Sequence, residues 1–445
     1  MKTPIVDFVK KYSHSHAARF HMPGHKGKAM LGCESLDITE IVGADCLYSA
    51  DGVILESEDN ATELFGTAHS FYSAEGSTLT IKAMLALVTE DARARGERAL
   101  VIAARNAHKA FINACALLDI DVKWIYPADD EHMCECHITS ADVEKAIADC
   151  EIAPSAVYLT SPDYLGNICD IKSLSNVCQN HGTPLCVDNA HGAYLKFLDV
   201  SAHPIDLGAD LVCDSAHKTL PVLTGGAYLH VSKNATKYLE RARDYLSLFA
   251  STSPSYLILE SLDLCNKYLA EEYRGELSEF IKKFDTLKAT AAVLGFKALE
   301  NEPLKLVIDA SASGYTGTKL AELLRAKDIE SEFSDNQYLV LMATPQNTMA
   351  DIEKLIAALS AIEHCAPITS TLPKYPRAEQ VMSIREAMLS PAETVRVEDA
   401  SGRICGTPAV SCPPAVPIIV SGERVTDEVI DLLKFYGTEY IKVIK

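Results

Sequence analysis

Short apolar runs alternate with longer amphipathic segments between about residues 70 and 231, and this alternation constrains the fold more than any other feature of the chain. Each apolar run has the length of a buried strand, and each amphipathic segment has the period of a helix. The predicted strands are RALVIAA (98–104), SAVYLT (155–160), TPLCVD (183–188) and ADLVCD (209–214). Strands that alternate with helices form a largely parallel sheet with helices on both faces, so the sequence predicts an α/β fold.

The composition is typical of a globular protein and narrows the choice of partners. The 445 residues are 48% hydrophobic and 23% charged, which suits a chain of more than one domain. Lys and Arg number 41 against 61 Asp and Glu, and the net charge of −20 argues against a nucleic-acid or anionic-membrane partner. The chain shows no signal peptide and no run of ~18 apolar residues that would span a membrane. We therefore expect a cytoplasmic protein whose 14 cysteines are free thiols.

The segment DEHMCECH (130–137) has two cysteines and two histidines and invites comparison with half of a metal site. Zinc-binding cysteine pairs usually have two or more residues between them, and no matching second pair follows at the expected distance. The segment also follows a polar stretch. We therefore predict a surface loop with incidental cysteines and no metal site.

Polar residues directly after the apolar runs are functional candidates, because ligands of parallel sheets bind at the carboxyl ends of strands. Gly76 allows the backbone to turn, and Ser77 and Thr78 lie where a helix begins, an arrangement that suits either a phosphate or a plain helix cap. Asp188 ends one apolar run and His191 follows it. A carboxylate at the end of a strand is equally consistent with a ligand pocket and with a cap of the following turn.

Lys218 follows another apolar run, in DSAHKTL (214–220), where a lysine is rarely buried without a partner. A buried lysine loses its charge readily and becomes a nucleophile. Pyridoxal phosphate requires a Schiff-base lysine, an acid beside its ring nitrogen and a cradle for its phosphate. Lys218, Asp188 and the helix start at 76–78 supply all three, and the combination is far more specific than any of its parts.

Several motifs, spread over nearly the whole chain, extend this interpretation. The chain resembles the Orn/Lys/Arg decarboxylase family of fold type I pyridoxal-phosphate enzymes, in its short bacterial form. The matching motifs are FHMPGHKG (20–27), RNAHKA (105–110), SPDYLGNICDI (161–171), DNAHGAY (188–194), DSAHKTL (214–220), TSPSY (252–256) and SIREAMLSPAETVRVEDASGRI (383–404).

The resemblance implies a role for each matching residue. Lys218 would bond to the cofactor, Asp188 would pair with its pyridinium nitrogen and His108 would stack on its ring. His191 would lie beside the ring, and His217 or Lys218 would return a proton to the substrate carbon. The cofactor phosphate would be held by Gly76, Ser77, Thr78, Ser215 and His217.

The resemblance also implies a basic amino acid as substrate, with arginine or lysine favoured over ornithine, and decarboxylation to the amine. The distal cation of such a substrate needs an acceptor carboxylate. Glu423, Glu34 and Asp45 are candidates, and His25 is a further candidate for substrate contact.

The chain departs from the family pattern at two places. At the phosphate helix Glu75 stands where asparagine is usual, and Thr80-Ile81 replaces a small residue and asparagine. Near the C-terminus Cys412 takes the place of a tyrosine and Ala415 that of a glycine. An acid beside a phosphate is unfavourable unless it points away, so Glu75 bears on the affinity for the cofactor. The changes near the C-terminus bear on the choice of substrate.

Two alternatives remain open at this point. One is another fold type I activity, an aminotransferase or a lyase, although Arg325 is the only arginine between Leu299 and Pro376 that would serve an aminotransferase as carboxylate ligand. The other is a non-catalytic paralogue that binds the cofactor without turnover.

The resemblance further implies a division of the chain and an assembly. We expect an N-terminal arm (1–50), a large cofactor-binding domain (51–275) with a mostly parallel, seven-stranded type of sheet, a small α/β domain (276–365) and a C-terminal decarboxylase-type segment (366–445). Enzymes of this fold type complete each active site with a second subunit, so a homodimer or a multiple of one is expected.

Overall fold

The computed structural model describes residues 1–128, 132–369, 373–408 and 413–445. The helices are Pro4–His14 (α1), Val53–Phe65 (α2), Gly76–Val88 (α3), Glu90–Ala94 (α4), Lys109–Leu118 (α5), Ser140–Ala148 (α6), Ile171–Asn180 (α7), Ala216–Thr219 (α8), Leu239–Phe249 (α9), Tyr256–Glu271 (α10), Tyr273–Val293 (α11), Gly317–Arg325 (α12), Met349–Ser360 (α13), Ile384–Leu389 (α14) and Asp427–Phe435 (α15). The strands are His69–Ser73 (β1), Ala99–Ala104 (β2), Ile120–Ile125 (β3), Ala156–Thr160 (β4), Leu185–Asp188 (β5), Leu211–Asp214 (β6), Ala227–Val231 (β7), Lys297–Ala298 (β8), Lys305–Asp309 (β9), Phe333–Ser334 (β10), Tyr338–Met342 (β11), Ala392–Arg396 (β12), Cys405–Thr407 (β13) and Tyr440–Ile444 (β14).

The large sheet has seven strands among the described residues, in the order β1-β7-β6-β5-β4-β2-β3. Strands β5 and β6 pair in parallel, as do β2 and β3, whereas β7 runs antiparallel to both of its neighbours. The four strands predicted from apolar runs are β2, β4, β5 and β6. The expected α/β fold with a mostly parallel sheet is therefore confirmed.

The first compact unit comprises residues 1–96, 155–157 and 171–276. Its central helix is α3, which packs against β6, β7 and α9. Residues 79–81 and 83–88 of this helix are buried, so α3 is apolar on nearly all sides, as expected of a helix within a core. Because α3 begins at Gly76, the burial of this helix fixes the position of the predicted phosphate cradle.

The second unit comprises residues 97–154, 158–170 and 277–445. Beside β2 and β3 it contains two antiparallel sheets, with strand orders β10-β11-β9-β8 and β12-β14-β13. Apolar residues of both small sheets and of α15 share one core, which includes Val307, Val340, Leu433 and Val443. These sheets and the helices beside them correspond to the smaller α+β part that is expected towards the C-terminus of this fold class. Helix α15 is followed by strand β14, the central strand of the β12-β14-β13 sheet.

The prediction of a surface loop at DEHMCECH was wrong for its described residues, 132–137. His132 is fully buried, and Cys134 and Cys136 are 1% and 5% exposed. His132 Nδ1 accepts a hydrogen bond from the Cys134 amide at 3.2 Å, so its proton lies on Nε2, which donates to Asp335 at 2.6 Å. The polar composition of the segment therefore reflects a buried histidine–aspartate pair that no local pattern reveals.

Candidate active site

Two neighbouring strands bring the predicted acid and lysine to the same edge of the sheet. Asp188 is the last residue of β5, and Ser215 and Lys218 follow the end of β6. Because β5 and β6 are parallel, their carboxyl ends meet at one edge. The strand-end positions thus place the three side chains where a ligand of this fold binds.

The predicted phosphate cradle comprises the start of α3 and the residue after β6. Gly76 adopts φ +68°, a conformation that favours glycine, and its amide donates to the Gly225 carbonyl at 2.7 Å. The Ser215 hydroxyl donates to the Ser77 hydroxyl at 2.9 Å, whereas Thr78 lies exposed in the first helical turn. Two hydroxyls and the amides of a 13-residue helix start suit a phosphate group.

Lys218 lies against a buried histidine. Its Nζ is 3.0 Å from Nε2 of His191, a residue that is 4% exposed. An ammonium group can only donate, so the charged lysine requires an unprotonated Nε2 on His191. The pair provides an acceptor for the proton that the lysine must lose before it acts as a nucleophile.

His217 is anchored by the loop before β7. Its Nδ1 donates to the Gly226 carbonyl at 2.9 Å, which leaves Nε2 as the atom able to change protonation. Burial lowers the pKa of His217, the Gly226 carbonyl opposes this effect and the Lys218 charge reinforces it. The imidazole is therefore mainly neutral near pH 7 in the absence of an anion.

Asp188 is 2% exposed and is oriented by its own turn. Its Oδ1 accepts from the Ala190 amide at 3.2 Å and from the Cys213 thiol at 3.5 Å. These contacts fix a carboxylate at the strand end, as the ring nitrogen of pyridoxal phosphate requires. The donor set of lysine, acid, hydroxyls and helix amides therefore fits this cofactor.

His108 belongs to the second unit, where it caps the start of α5. Its Nδ1 accepts from the Ala110 amide at 3.1 Å, and its side chain is half-buried. The predicted stacking of His108 on the cofactor remains a prediction.

Glu423 is engaged by a buried arginine. It is 1% exposed, accepts from Arg105 Nη2 at 3.0 Å and also accepts from the Val420 amide at 2.6 Å. Arg105 in turn donates to the Pro417 and Ile418 carbonyls, each at 3.0 Å. Both contacts of Glu423 with Arg105 and Val420 are made by the same oxygen, Oε2.

Two further acids proposed for the substrate serve the backbone of the N-terminal segment. Glu34 accepts from the amides of residues 30, 31 and 32 at 2.7, 2.6 and 2.9 Å, and hydrogen bonding by these amides, that of Leu31 above all, lowers the pKa of Glu34 to about 2. Asp45 accepts from the amides of residues 52 and 54 at 2.9 and 3.0 Å at the start of α2. Both carboxylates therefore stabilise their own loops.

His25 also contacts its own segment. Its Nε2 lies 3.1 Å from Asp37, and its Nδ1 accepts from the Gly27 amide at 2.9 Å. The imidazole is thus held by the loop in which it lies.

The departures from the family pattern have separate structural settings. Glu75 is turned to the Ser251 amide, which donates to it at 2.6 Å, and Thr80 and Ile81 are fully buried in the inner face of α3. Ala415 adopts φ +57°, a conformation unfavourable for a residue other than glycine. Cys412 lies outside the described residues.

Comparison with known proteins decides the family. The model of the Orn/Lys/Arg decarboxylase major domain matches residues 3–301, and that of the C-terminal domain matches residues 369–440. The chain belongs to the Orn/Lys/Arg decarboxylase family. It is accordingly a decarboxylase that depends on pyridoxal phosphate.

Relatives of this decarboxylase extend over nearly its full length. It is 30% identical to the uncharacterized protein YaaO of Bacillus subtilis strain 168, over 97% of this chain and 94% of that protein. It is 29% identical to an arginine decarboxylase of the same organism, over 96% of this chain and 92% of the relative.

Solved structures confirm the fold type I architecture. Lysine decarboxylase LdcF of Francisella novicida superposes with a TM-score of 0.81 at 16% identity, covering 100% of this chain and 81% of its own. Lysine decarboxylase A of Pseudomonas aeruginosa gives a TM-score of 0.80 at 17% identity, covering 99% and 80%. In the described part of this decarboxylase, no helix combines the length and apolar character needed to cross a membrane.

Proposed function

We propose that this decarboxylase acts on arginine, lysine or ornithine and releases the corresponding amine, which would enter polyamine-type metabolism. The observation that carries the proposal is the arrangement of Lys218, Asp188 and the Ser77–Ser215 pair at one edge of the sheet. Arginine is the first substrate to test, because full-length relatives are named arginine decarboxylases.

The residues of the site would divide the work of cofactor binding. Lys218 would bond to the cofactor, Asp188 would keep the ring nitrogen protonated, and Ser77, Ser215 and the α3 amides would hold the phosphate. When bound, pyridoxal phosphate withdraws the electron pair that the departing carboxylate leaves on the α-carbon.

The proton that replaces the carboxylate would come from Lys218 or from His217. His191, 3.0 Å from Lys218 Nζ, would accept a proton from the lysine before the lysine bonds to the cofactor, and would return it once the substrate has displaced the lysine. Asp188 is 2% exposed, and exclusion of water from this edge strengthens its interaction with a charged partner.

The aminotransferase alternative depends on Arg325 as its candidate ligand. Arg325 Nε lies 3.2 and 3.0 Å from the two carboxylate oxygens of Glu330 on the exposed side of α12, so this arginine forms a surface ion pair. The alternative of a non-catalytic paralogue rested partly on the acid Glu75 beside the predicted phosphate cradle. The carboxylate of Glu75 accepts a hydrogen bond from the Ser251 amide. Neither observation favours a second function over decarboxylation.

We propose a cytoplasmic homodimer, or a multiple of one, in which the N-terminal segment contacts a second copy. Phe20, Met30, Leu31 and Val42 are 97%, 88%, 91% and 101% exposed, an unusual density of apolar side chains for a free surface. The described cysteines are all free, which suits a reducing compartment.

The test measures cofactor and product separately. Protein reconstituted with pyridoxal phosphate should show the absorbance band of lysine-bound cofactor and release carbon dioxide from arginine, lysine or ornithine. Lys218→Ala should lose both, whereas the exposed Lys233→Ala, outside the site, should keep both. A band without carbon dioxide from any of the three amino acids contradicts the substrate proposal, and a band that persists in Lys218→Ala contradicts the lysine assignment.

A further inference from the structure

A buried cluster of two histidines and an acid includes Asp214, which directly precedes Ser215 of the candidate site. His203, Asp214 and His230 are all fully buried in the first unit. Nε2 of His203 lies 2.9 Å, and Nε2 of His230 3.1 Å, from the same oxygen, Oδ2 of Asp214. The three ligand atoms are close enough together to suggest a metal centre.

The outer nitrogens of the histidines decide against a metal. Nδ1 of His203 accepts from the Ile205 amide at 3.3 Å, so that ring carries its proton on Nε2. Nδ1 of His230 is 2.8 Å from the Ser70 hydroxyl, which can donate to it. The His203 ring therefore presents Nε2–H to Asp214, and a nitrogen that carries a proton cannot ligate a metal; His230 does the same when the Ser70 hydroxyl donates to its Nδ1.

Asp214 extends this network to the neighbouring strand. Its Oδ1 accepts from Asn189 Nδ2 at 2.6 Å, and Asn189 is fully buried. Burial alone would raise the pKa of Asp214, but the two histidines outweigh it and hold the pKa well below its usual range. The carboxylate stays charged, and three donors fix its orientation.

Asn189 and Asp214 are each adjacent in the chain to a residue of the candidate site. Asn189 directly follows Asp188 at the end of β5, and Asp214 directly precedes Ser215 at the end of β6. One hydrogen bond between side chains therefore joins the strand end that carries the cofactor acid to the strand end that leads to Lys218.

We propose that Asp214 and Asn189 are positioning residues, which hold Asp188 in register with Ser215 and Lys218. The inference rests on the cofactor roles proposed above. Misplacement of such groups by about 1 Å is enough to weaken binding and catalysis strongly.

The backbone does not depend on this bridge. The Asn189 amide donates to the Cys213 carbonyl at 2.9 Å, and the parallel pairing of β5 with β6 is independent of the side chains. Asn189→Ala should therefore fold, and its effect should concentrate on the positions of the site residues.

The test compares Asn189→Ala and Asp214→Asn with Asp263→Asn in the full-length protein. Asp263 is a buried acid of the same unit that accepts from Ser57 Oγ at 2.6 Å and from the Val6 amide at 3.0 Å, away from the strand ends. We expect the first two variants to bind pyridoxal phosphate about tenfold more weakly, which corresponds to one lost hydrogen bond, and to shift the pH midpoint of the cofactor band. Asp263→Asn should lower only the unfolding temperature.

Three results would overturn the inference or its basis. Unchanged cofactor affinity and pH midpoint in Asn189→Ala, with only a lower unfolding temperature, would make the network purely structural. Stoichiometric zinc in the purified protein, or ¹⁵N signals of the apoprotein that place the His203 proton on Nδ1, would contradict the proton assignment. Absence of the cofactor band in the unaltered protein would instead refute the proposed site.

Discussion

The protonation state of His217 is linked to the binding of the cofactor phosphate in the proposed site. Its Nδ1–H is committed to the Gly226 carbonyl, so only the imidazolium form has a second donor, Nε2–H, for a phosphate oxygen. The pKa of the free residue is lowered, chiefly by burial, and a bound phosphate would raise it. At a pH between the pKa of His217 in the free protein and its pKa in the phosphate complex, the binding of phosphate is accompanied by the uptake of a proton by His217.

We therefore expect the phosphate affinity of the apoprotein to fall as the pH rises through this window, by up to about tenfold per pH unit from His217 alone. Calorimetric titration with inorganic phosphate between pH 5.5 and 8.5 measures this dependence. Phosphate itself ionises in the same range, so His217→Gln provides the baseline. Identical profiles for the two proteins would exclude His217 from the cradle.

Glu260 is a second residue whose environment, rather than its type, sets its chemistry. It is 6% exposed on α10, and burial, with smaller contributions from Asp263 and Asp37 against that of Lys10, raises its pKa to about 8. The native state therefore binds this proton more tightly than the unfolded chain.

The stability that this proton confers should be lost as the pH rises from about 4.5 through about 8. Glu260→Gln should become more stable than the unaltered protein over that range, by about 3 kcal/mol at pH 9. Urea unfolding at pH 5 and pH 9 measures the difference, with the exposed Glu279→Gln as control. An equal effect of Glu260→Gln at both pH values would contradict the prediction.

Local residue patterns gave the places of the candidate residues in the fold, but not their partners from distant parts of the chain. Asp188, Ser215 and Lys218 were recognisable because each follows a short apolar run, and parallel strands bring such positions together. The contact of Glu423 with Arg105 could not be predicted locally, because 318 positions of the chain separate the two residues. Asn189 and Asp214 also stand at strand ends, and that position was the available signal for them.

Helix α12 begins against the backbone of β11, and only glycine fits there. A Cβ on Gly317 would lie 1.9 Å from the Tyr338 carbonyl oxygen. Gly317→Ala should therefore destabilise the protein by about 2–3 kcal/mol. Thermal and urea unfolding measure the loss.

Gly275 provides the matched control within a helix. It lies in α11, and a Cβ there would meet no atom within 4 Å. Gly275→Ala should be neutral or stabilising by up to about 1 kcal/mol, because alanine favours a helix. Equal losses for both substitutions would show that the Tyr338 contact is not the cause.

Strands that are buried on both faces were predicted well, whereas the more exposed strands of the last sheet were not. Strands β5 and β6 are buried throughout and read as continuous apolar runs. Strand β14 alternates exposed and buried residues in YIKVI, and β12 is mostly exposed. The alternation in β14 was a usable signal, whereas β12 is a strand only because β14 lies beside it.

At the scale of the whole chain, one buried ion pair joins distant parts of the second unit. The Arg105 guanidinium contacts Glu423, donates to the 417 and 418 carbonyls and lies 5.1 Å from the Trp124 ring centre. Arg105→Gln should cost about 3–5 kcal/mol of unfolding free energy, since it leaves a buried carboxylate without its counter-charge.

The double variant Arg105→Gln/Glu423→Gln should recover a large part of that loss. A double-mutant cycle in urea measures the coupling between the two residues. Strictly additive losses would contradict a direct interaction. Because the pair is structural, Glu423→Gln should alter stability more than the KM for substrate.

The separation of Arg105 from Glu423 also has a consequence for synthesis on the ribosome. At 5–20 residues per second, roughly 15–60 s pass between the emergence of the two residues, since 318 positions separate them. Throughout that interval a nascent chain carries the 97–154 segment, with its tryptophan and its unmatched arginine, and cannot complete the unit to which it belongs. The second unit can therefore complete its folding only when synthesis of the chain is nearly finished.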